Sequence, residues 1–303
     1  PDFVLMRADG SPLYTLAVAV DDVLMKVTHV LRGEDLLSST PRQIRVYQAM
    51  GLSPDDFPHF AHLPFVMGQD NAKLSKRNGE VSIAWYREQG FLPEAICNYL
   101  ALLGWSPGDD VENISMDELV KLFTVERVNS SPARFDMKKL EAINGDKIRA
   151  LTLDDFLSRA LPFLLKDGVI TGTPDEVAVV RSALPIIQER IARMNEVTAM
   201  LKFLFVDQVV FDDESKVKIE EEPAQQVVSR ALEALHNLSD WTHDAIEAAL
   251  RDALIEKMGL KPRVAFGPVR IAVTGSHISP PLFESMELLG KERSLARLKS
   301  AVR

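Results

Sequence analysis

Lys73-Leu74-Ser75-Lys76-Arg77 places three cations in five residues, directly after an apolar run, Leu63-Pro64-Phe65-Val66-Met67. The apolar run reads as a buried strand, and Gly68 and Gly79 bracket the basic stretch as a mobile loop. Such a loop at a strand's carboxyl end can close over a polyphosphate and neutralise charge as a phosphorus–oxygen bond breaks. Taken alone, the same residues also suit a solvated basic turn. Three further clusters lie upstream. Arg32-Gly33-Glu34-Asp35 follows the β-branched run Val27-Thr28-His29-Val30-Leu31. Gly33 lets the backbone approach a ligand, and carboxylates at a strand end suit ribose hydroxyls, although the tetrapeptide would also make a surface turn. Tyr14 with Asp21-Asp22 offers a phenol that could equally belong to the core. In Phe60-Ala61-His62-Leu63-Pro64, His62 is expected to be packed or hydrogen-bonded rather than catalytic.

The elements that must hold these residues are alternately strand and helix up to about residue 78. Residues 3–6 and 13–16 flank the turn cluster Asp9-Gly10-Ser11-Pro12 and predict a hairpin. Residues 27–31 predict a buried strand. Thr40 can cap a helix with Pro41 at its first position, stopped by Gly51. Strand, helix and strand together suggest a parallel-sheet unit. From about residue 80 the pattern is helical. Ser82 caps a helix ending at Gly90, and Pro93 opens another with Ile96, Tyr99, Leu100 and Leu103 at helical spacing. Ser115 with Glu118 forms a capping box. Asp136 starts a helix ending at Asn144-Gly145. Thr152, Thr173 and Thr242 are later caps. Beyond residue 146 the strand signals are Leu204–Val206 and Val209–Phe211 only. The pattern divides the chain into 1–79, 80–145, 146–205 and 206–303, with the acidic stretch 207–222 as a connector.

Bulk composition is that of an ordinary globular protein: 303 residues, 46% hydrophobic and 26% charged, enough for two or three cores. No apolar stretch reaches about 18 residues, so no membrane span is expected. The opening residues lack the basic start and long apolar run of a signal peptide. The single cysteine, Cys97, sits in an apolar helical pattern, and no Cys/His cluster offers a zinc site. These features point to a reducing, cytoplasmic setting. Pro1 in place of methionine, leading straight into a strand-like segment, reads as the start of a fragment. Net charge is −9, which argues weakly against nucleic-acid binding. Residues 255–303, however, carry nine Lys/Arg against four Glu, whereas 207–222 carry seven acids against two lysines. Basic residues gathered on one face matter more than the average.

In order along the chain, the clusters resemble bacterial glutamyl-tRNA synthetases, class I aminoacyl-tRNA synthetases. The resemblance runs from Pro12-Leu13-Tyr14 through residues 27–35 to Ser39-Thr40-Pro41-Arg42-Gln43-Ile44, and then through residues 60–77, whose basic loop corresponds to the "KMSKS" signature. Downstream, Asn98–Trp105, Ser131–Asp136, Ser279–Ser285 and Leu289–Arg293 fit as well, so essentially the whole chain is covered. The implied fold is mainly α. The α/β half of a Rossmann-like catalytic domain (1–79) precedes a helical stem-contact domain (80–145) and two all-helical anticodon-binding domains (146–205 and 206–303).

The resemblance implies ATP-dependent activation of L-glutamate to glutamyl-adenylate and transfer to the 3′ end of tRNA-Glu. Charging of tRNA-Gln as well stays open. Arg32 would pair with a substrate carboxylate and Tyr14 would hydrogen-bond the amino acid. Gly33, Glu34 and Asp35 would approach the ATP ribose and substrate amine, and backbone near Phe65 and Val66 would hold adenine. Lys76 would stabilise departing pyrophosphate, with Lys73 and Ser75 supporting closure. Mg²⁺ would accompany ATP without a protein ligand set. For the RNA backbone the basic candidates are Arg127, Lys138, Lys139, Lys147 and Arg149, then Lys261, Arg263, Arg270 and Arg297. A monomer is expected. Two departures stand out. No "HIGH" motif is present, so the fragment by itself is expected to be inactive, and a non-catalytic tRNA-binding module is the alternative. Position 18 is Val, where some relatives carry Asn.

Overall fold

Tyr14–Leu24 winds into the first helix, α1, where the sequence suggested a hairpin strand. In the computed structural model, which describes residues 2–68, 82–108, 111–129 and 131–302, the hairpin reduces to one antiparallel bridge between Met6 and Pro12. Leu16, Ala19 and Val23 recur at three- and four-residue spacing, a helical rather than an alternating period. Ala19 is fully buried against Val46 and Tyr47, with Leu16 and Val23 packed around them.

Strand β1 (His29–Gly33) begins two residues later than expected. It is also only half-buried, because the sheet it joins has two strands among the described residues. Helix α2 (Thr40–Ala49) returns the chain to β2 (His59–Leu63). The strands pair in parallel, Arg32 opposite His62, as the strand–helix–strand pattern suggested. The N-cap of α2 is Ser39, not Thr40, and Ser39 makes no side-chain cap bond. The Thr40 hydroxyl is taken by Arg32 instead. The stop holds: Gly51 follows the C-cap at φ +86°, a conformation glycine reaches freely. Pro64 supplies no N–H for a ladder, so the apolar run expected as one strand splits. Its second part, β3 (Val66–Met67), pairs in parallel with β4 (Ala133–Arg134).

The helical expectations hold with one extension. Helix α3 (Ile83–Glu88) is capped by Ser82, whose hydroxyl accepts from the Trp85 N–H, and α4 runs over Pro93–Leu102. Cys97 on α4 is exposed despite its apolar neighbours. Helix α5 (Met116–Leu122) carries the Ser115/Glu118 capping box. Helix α6 (Met137–Arg149) continues through Asn144-Gly145, the expected end. Asn144 is fully buried and serves tertiary structure: its Oδ1 accepts from Leu92 N–H at 2.7 Å and its amide donates to Ala192 O at 2.5 Å.

Helices α7 (Leu153–Lys166), α8 (Pro174–Gln188) and α9 (Glu196–Leu201) follow, the first two capped by Thr152 and Thr173. The strand signals at 204–206 and 209–211 give no strand. Lys202–Phe205 is a 3₁₀ turn that buries Phe203 and Leu204 together, which alternation along a strand could not do. The acidic stretch contains α10 (Asp213–Glu220), capped by Asp212. Then come α11 (Glu222–His236), α12 (His243–Leu250, capped by Thr242), α13 (Pro262–Thr274), α14 (Leu282–Leu289) and α15 (Lys291–Ala301). The chain forms two compact units: residues 1–81 with 97–139, and residues 82–96 with 140–303. Among the described residues no helix is long and apolar enough to cross a membrane.

Candidate active site

The site is built at the carboxyl ends of β1 and β2, where the parallel register sets Arg32 beside His62. Arg32 Nε donates to His62 Nε2 at 3.3 Å. Because a guanidinium only donates, that ring nitrogen is the acceptor, so His62 is a hydrogen-bonded histidine, as its sequence setting suggested. The outer guanidinium nitrogen Nη2 donates to Thr40 Oγ1 and to Gln43 Oε1, both at 2.7 Å, and to Leu36 O at 3.3 Å. Nη1 reaches the Tyr14 hydroxyl at a longer 3.5 Å. Below, the guanidinium sits 5.5 Å from the Phe60 ring centroid, within cation–π range. The structure thus brings Arg32 and Tyr14 together, the two residues expected to meet the amino acid.

Each contact has a local cause. Tyr14 opens α1 and is half exposed, whereas Thr40 and Gln43 lie three residues apart on one face of α2. The next residues of that face, Val46 and Tyr47, are core. Tyr47 packs on Phe57 and Phe60, and its hydroxyl donates to Asp22 at 2.7 Å, fastening α2 to α1. Burial, then the bond to Asp22, push the Tyr47 phenol well above its ordinary range. Sequence reasoning missed Thr40 and Gln43 as members of the site. The available signal was a polar pair on the helical face that buries Val46 and Tyr47.

At φ −64° Gly33 is not demanded by its dihedral, and the one close neighbour of an added side chain is the mobile end of Asp35. A Cβ there would meet the Asp35 carboxylate oxygen at 2.4 Å. Glu34 accepts the Phe65 N–H at 3.1 Å, so one carboxylate expected near the nucleotide clamps the turn before β3. Val66 pairs with Ala133. Lys73, Ser75 and Lys76 lie outside the described residues. Among the described residues no group of three or more His, Cys, Asp or Glu side chains could hold a metal.

The basic candidates separate into kinds. Arg297 is 2% exposed and donates to Val273 O and Phe203 O at 2.7 Å and to Val206 O, so it is a structural residue rather than a surface for RNA. Burial pulls its guanidinium down to about 10, still charged at neutral pH. Arg270 is half-buried on Ser279 Oγ and Pro280 O. It lines a groove of about 650 Å³ with Lys218, Arg263, Phe266 and His277. Lys138, Lys261 and Arg263 are exposed. Lys139 pairs with Glu112 and Arg149 with Asp146, while Arg127 donates to Pro107 O.

Comparison with known proteins agrees with this architecture. Residues 1–142 match the family described as tRNA synthetases class I (E and Q), catalytic domain, and residues 155–302 match the anticodon binding domain family. A glutamate–tRNA ligase from a Nocardioides species is 53% identical over 309 residues, covering 100% of this chain and 63% of the relative. One from Saccharopolyspora erythraea is 52% identical, covering 99% and 61%. The crystal structure of a glutamate tRNA ligase from Elizabethkingia meningosepticum, in complex with its amino acid, superposes with a TM-score of 0.80 at 30% identity, covering 99% of this chain and 62% of that one. The chain therefore spans about three-fifths of the length of the relatives it matches. By its catalytic-domain match and by relatives about 50% identical over the whole chain, it belongs to the class I tRNA synthetases of the E and Q group.

Proposed function

We propose that this chain forms part of a glutamate–tRNA ligase. The observation that carries the reading is the Arg32 guanidinium, held at the carboxyl end of a parallel strand by neutral acceptors, with the Tyr14 hydroxyl beside its open nitrogen. That arrangement suits a carboxylate, and the 53% identical relative bears the name of this activity. In the proposed reaction an oxygen of the glutamate α-carboxylate attacks the α-phosphorus of ATP, which enters with Mg²⁺. The bond to the pyrophosphate breaks, giving glutamyl-adenylate. A ribose hydroxyl at the 3′ end of tRNA-Glu then takes the acyl group and AMP leaves. Arg32 and Tyr14 orient the amino acid. Gly33, Asp35 and the backbone at Phe65 and Val66 line the nucleotide side, and Glu34 sets the turn that presents them. Lys76, aided by Lys73 and Ser75, neutralises the departing pyrophosphate.

Arg127, Lys138, Lys139, Lys147, Arg149, Lys261, Arg263 and Arg270 are the proposed RNA-facing cations. The domain limits 1–79, 80–145, 146–205 and 206–303 belong to the same proposal, as do a monomeric state and a cytoplasmic setting. The test is glutamate-dependent ATP–pyrophosphate exchange by the full-length protein that contains these residues. Lys76→Ala should lower exchange by roughly 10²–10³-fold, the scale for losing one donor aimed at developing charge. Near-normal exchange in that variant refutes the role of Lys76. Absence of glutamate-dependent exchange in the parent refutes the function.

A further inference from the structure

Arg32 meets five acceptors among the described residues, and none is a carboxylate: His62 Nε2, Tyr14 Oη, Leu36 O, Thr40 Oγ1 and Gln43 Oε1. Two nearby acids are engaged elsewhere, Asp22 by the Tyr47 hydroxyl and Glu34 by the Phe65 N–H. Gln43 is the informative member. It is fully buried, and its Nε2 has no hydrogen-bond partner among the described residues. An unpaired buried donor is destabilising. A glutamate of the same shape would remove that donor and give the guanidinium a counter-ion. Against the cost of desolvating its carboxylate, that glutamate would set the attraction of the Arg32 charge. A residue that breaks a local rule in this way, one contact from a ligand-facing arginine, is the pattern of a position kept for function.

We propose that Gln43, with Thr40, is a positioning pair that fixes the Arg32 guanidinium through neutral oxygens alone, so that its charge stays available to an acidic amino-acid substrate. The proposal rests on the function given above and deepens it: the site selects a carboxylate because the protein withholds its own. The geometry divides the guanidinium accordingly. Nη2 is saturated by Leu36, Thr40 and Gln43, and Nε is taken by His62. Among the described residues Nη1 has only the long contact to Tyr14, which is 48% exposed, and it is the edge left for substrate.

The test places a carboxylate in the shell by either of two routes, Gln43→Glu and Thr40→Asp, in the full-length protein. KM for L-glutamate in ATP–pyrophosphate exchange, KM for ATP and the melting temperature are measured for each. The expected result is a KM for glutamate raised on the order of 10²-fold, the scale for taking a buried charge away from its partner. KM for ATP should stay put, and the melting temperature should equal or exceed that of the parent. A purely structural Gln43–Arg32 contact predicts the opposite split, higher stability with substrate affinity intact. The proposal stands if either variant couples a raised KM to undiminished stability. It is overturned if KM is unchanged in both, or if both raise KM only with a lowered melting temperature, as plain disruption would. A parent without glutamate-dependent exchange overturns the functional reading and this one with it, whereas an active parent in which neither variant couples a raised KM to undiminished stability overturns this one alone.

Discussion

Arg297→Met separates a structural arginine from one that touches RNA. The side chain is 2% exposed and satisfies three carbonyls, those of Phe203, Val206 and Val273. Bonds from a charged donor contribute about 1.5–3 kcal/mol each. Methionine would remove all three and leave the carbonyls to find other partners. It would also remove the cost of burying a guanidinium that has no carboxylate hydrogen-bonded to it among the described residues, a relief that offsets part of the loss. The net is about 3–5 kcal/mol of destabilisation, from three neutral carbonyls left unpaired at about 1–3 kcal/mol each less the relieved burial cost. At about 2–4 °C per kcal/mol for a unit of this size, the melting temperature should fall by roughly 6–20 °C. Calorimetry supplies that value, and tRNA binding measured below the transition supplies the other half. Binding at moderate temperature should keep its salt slope. An unchanged melting temperature together with a slope reduced by about one counter-ion would refute the structural account and make Arg297 a phosphate contact after all.

Two further outcomes follow from the same unit. Gly90 sits at φ +81°, where a Cβ would meet the backbone N of Asn195 at 2.4 Å and that of Met194 at 2.6 Å. Gly90→Ala should therefore cost about 3–5 kcal/mol, combining a left-handed penalty with loss of the Met194 N–H bond to Gly90 O; a urea-derived change under about 1 kcal/mol would show that the chain relaxes there. Glu176 is held down to about 2, chiefly by the Thr173 backbone N–H and also by the hydroxyl and N–H of Thr171. The folded value lies below the unfolded one, so its contribution is complete above pH 4.5 and disappears as pH falls toward 2. Glu176→Gln should flatten the pH dependence of the urea midpoint across that window, and an identical profile would discount the cap.

The parallel unit and most helix starts were legible because each rests on a local signal. Ser82, Ser115, Thr152, Thr173 and Thr242 all cap as their spacing indicates. Misreadings arose where tertiary demand outweighs a local cue. Asn144-Gly145 looks like a helix stop, yet the asparagine's amide is needed by Leu92 and Ala192. Thr40 looks like a cap, yet its hydroxyl is needed by Arg32. Tyr14–Leu16 looked extended because the window was too short to reveal the helical recurrence of Ala19 and Val23. The resemblance singled out Arg32 and Tyr14 but not Gln43, whose proposed role turns on a partner eleven residues away and on an amide nitrogen with no hydrogen-bond partner among the described residues. Arg297 illustrates the converse: a basic residue in a basic tail carries no mark of burial.

The buried phenol of Tyr47 links two helices that both touch the same guanidinium, α1 through Tyr14 and α2 through Thr40 and Gln43. A cradle braced in this manner is preset: its donors stand in formation before any guest arrives. Little freedom is then surrendered on capture, and tight recognition of a small molecule needs no large rearrangement of the wall behind it. Loosening that brace, as Tyr47→Phe would by removing the bond to Asp22, should raise the KM for the proposed amino-acid substrate in pyrophosphate exchange.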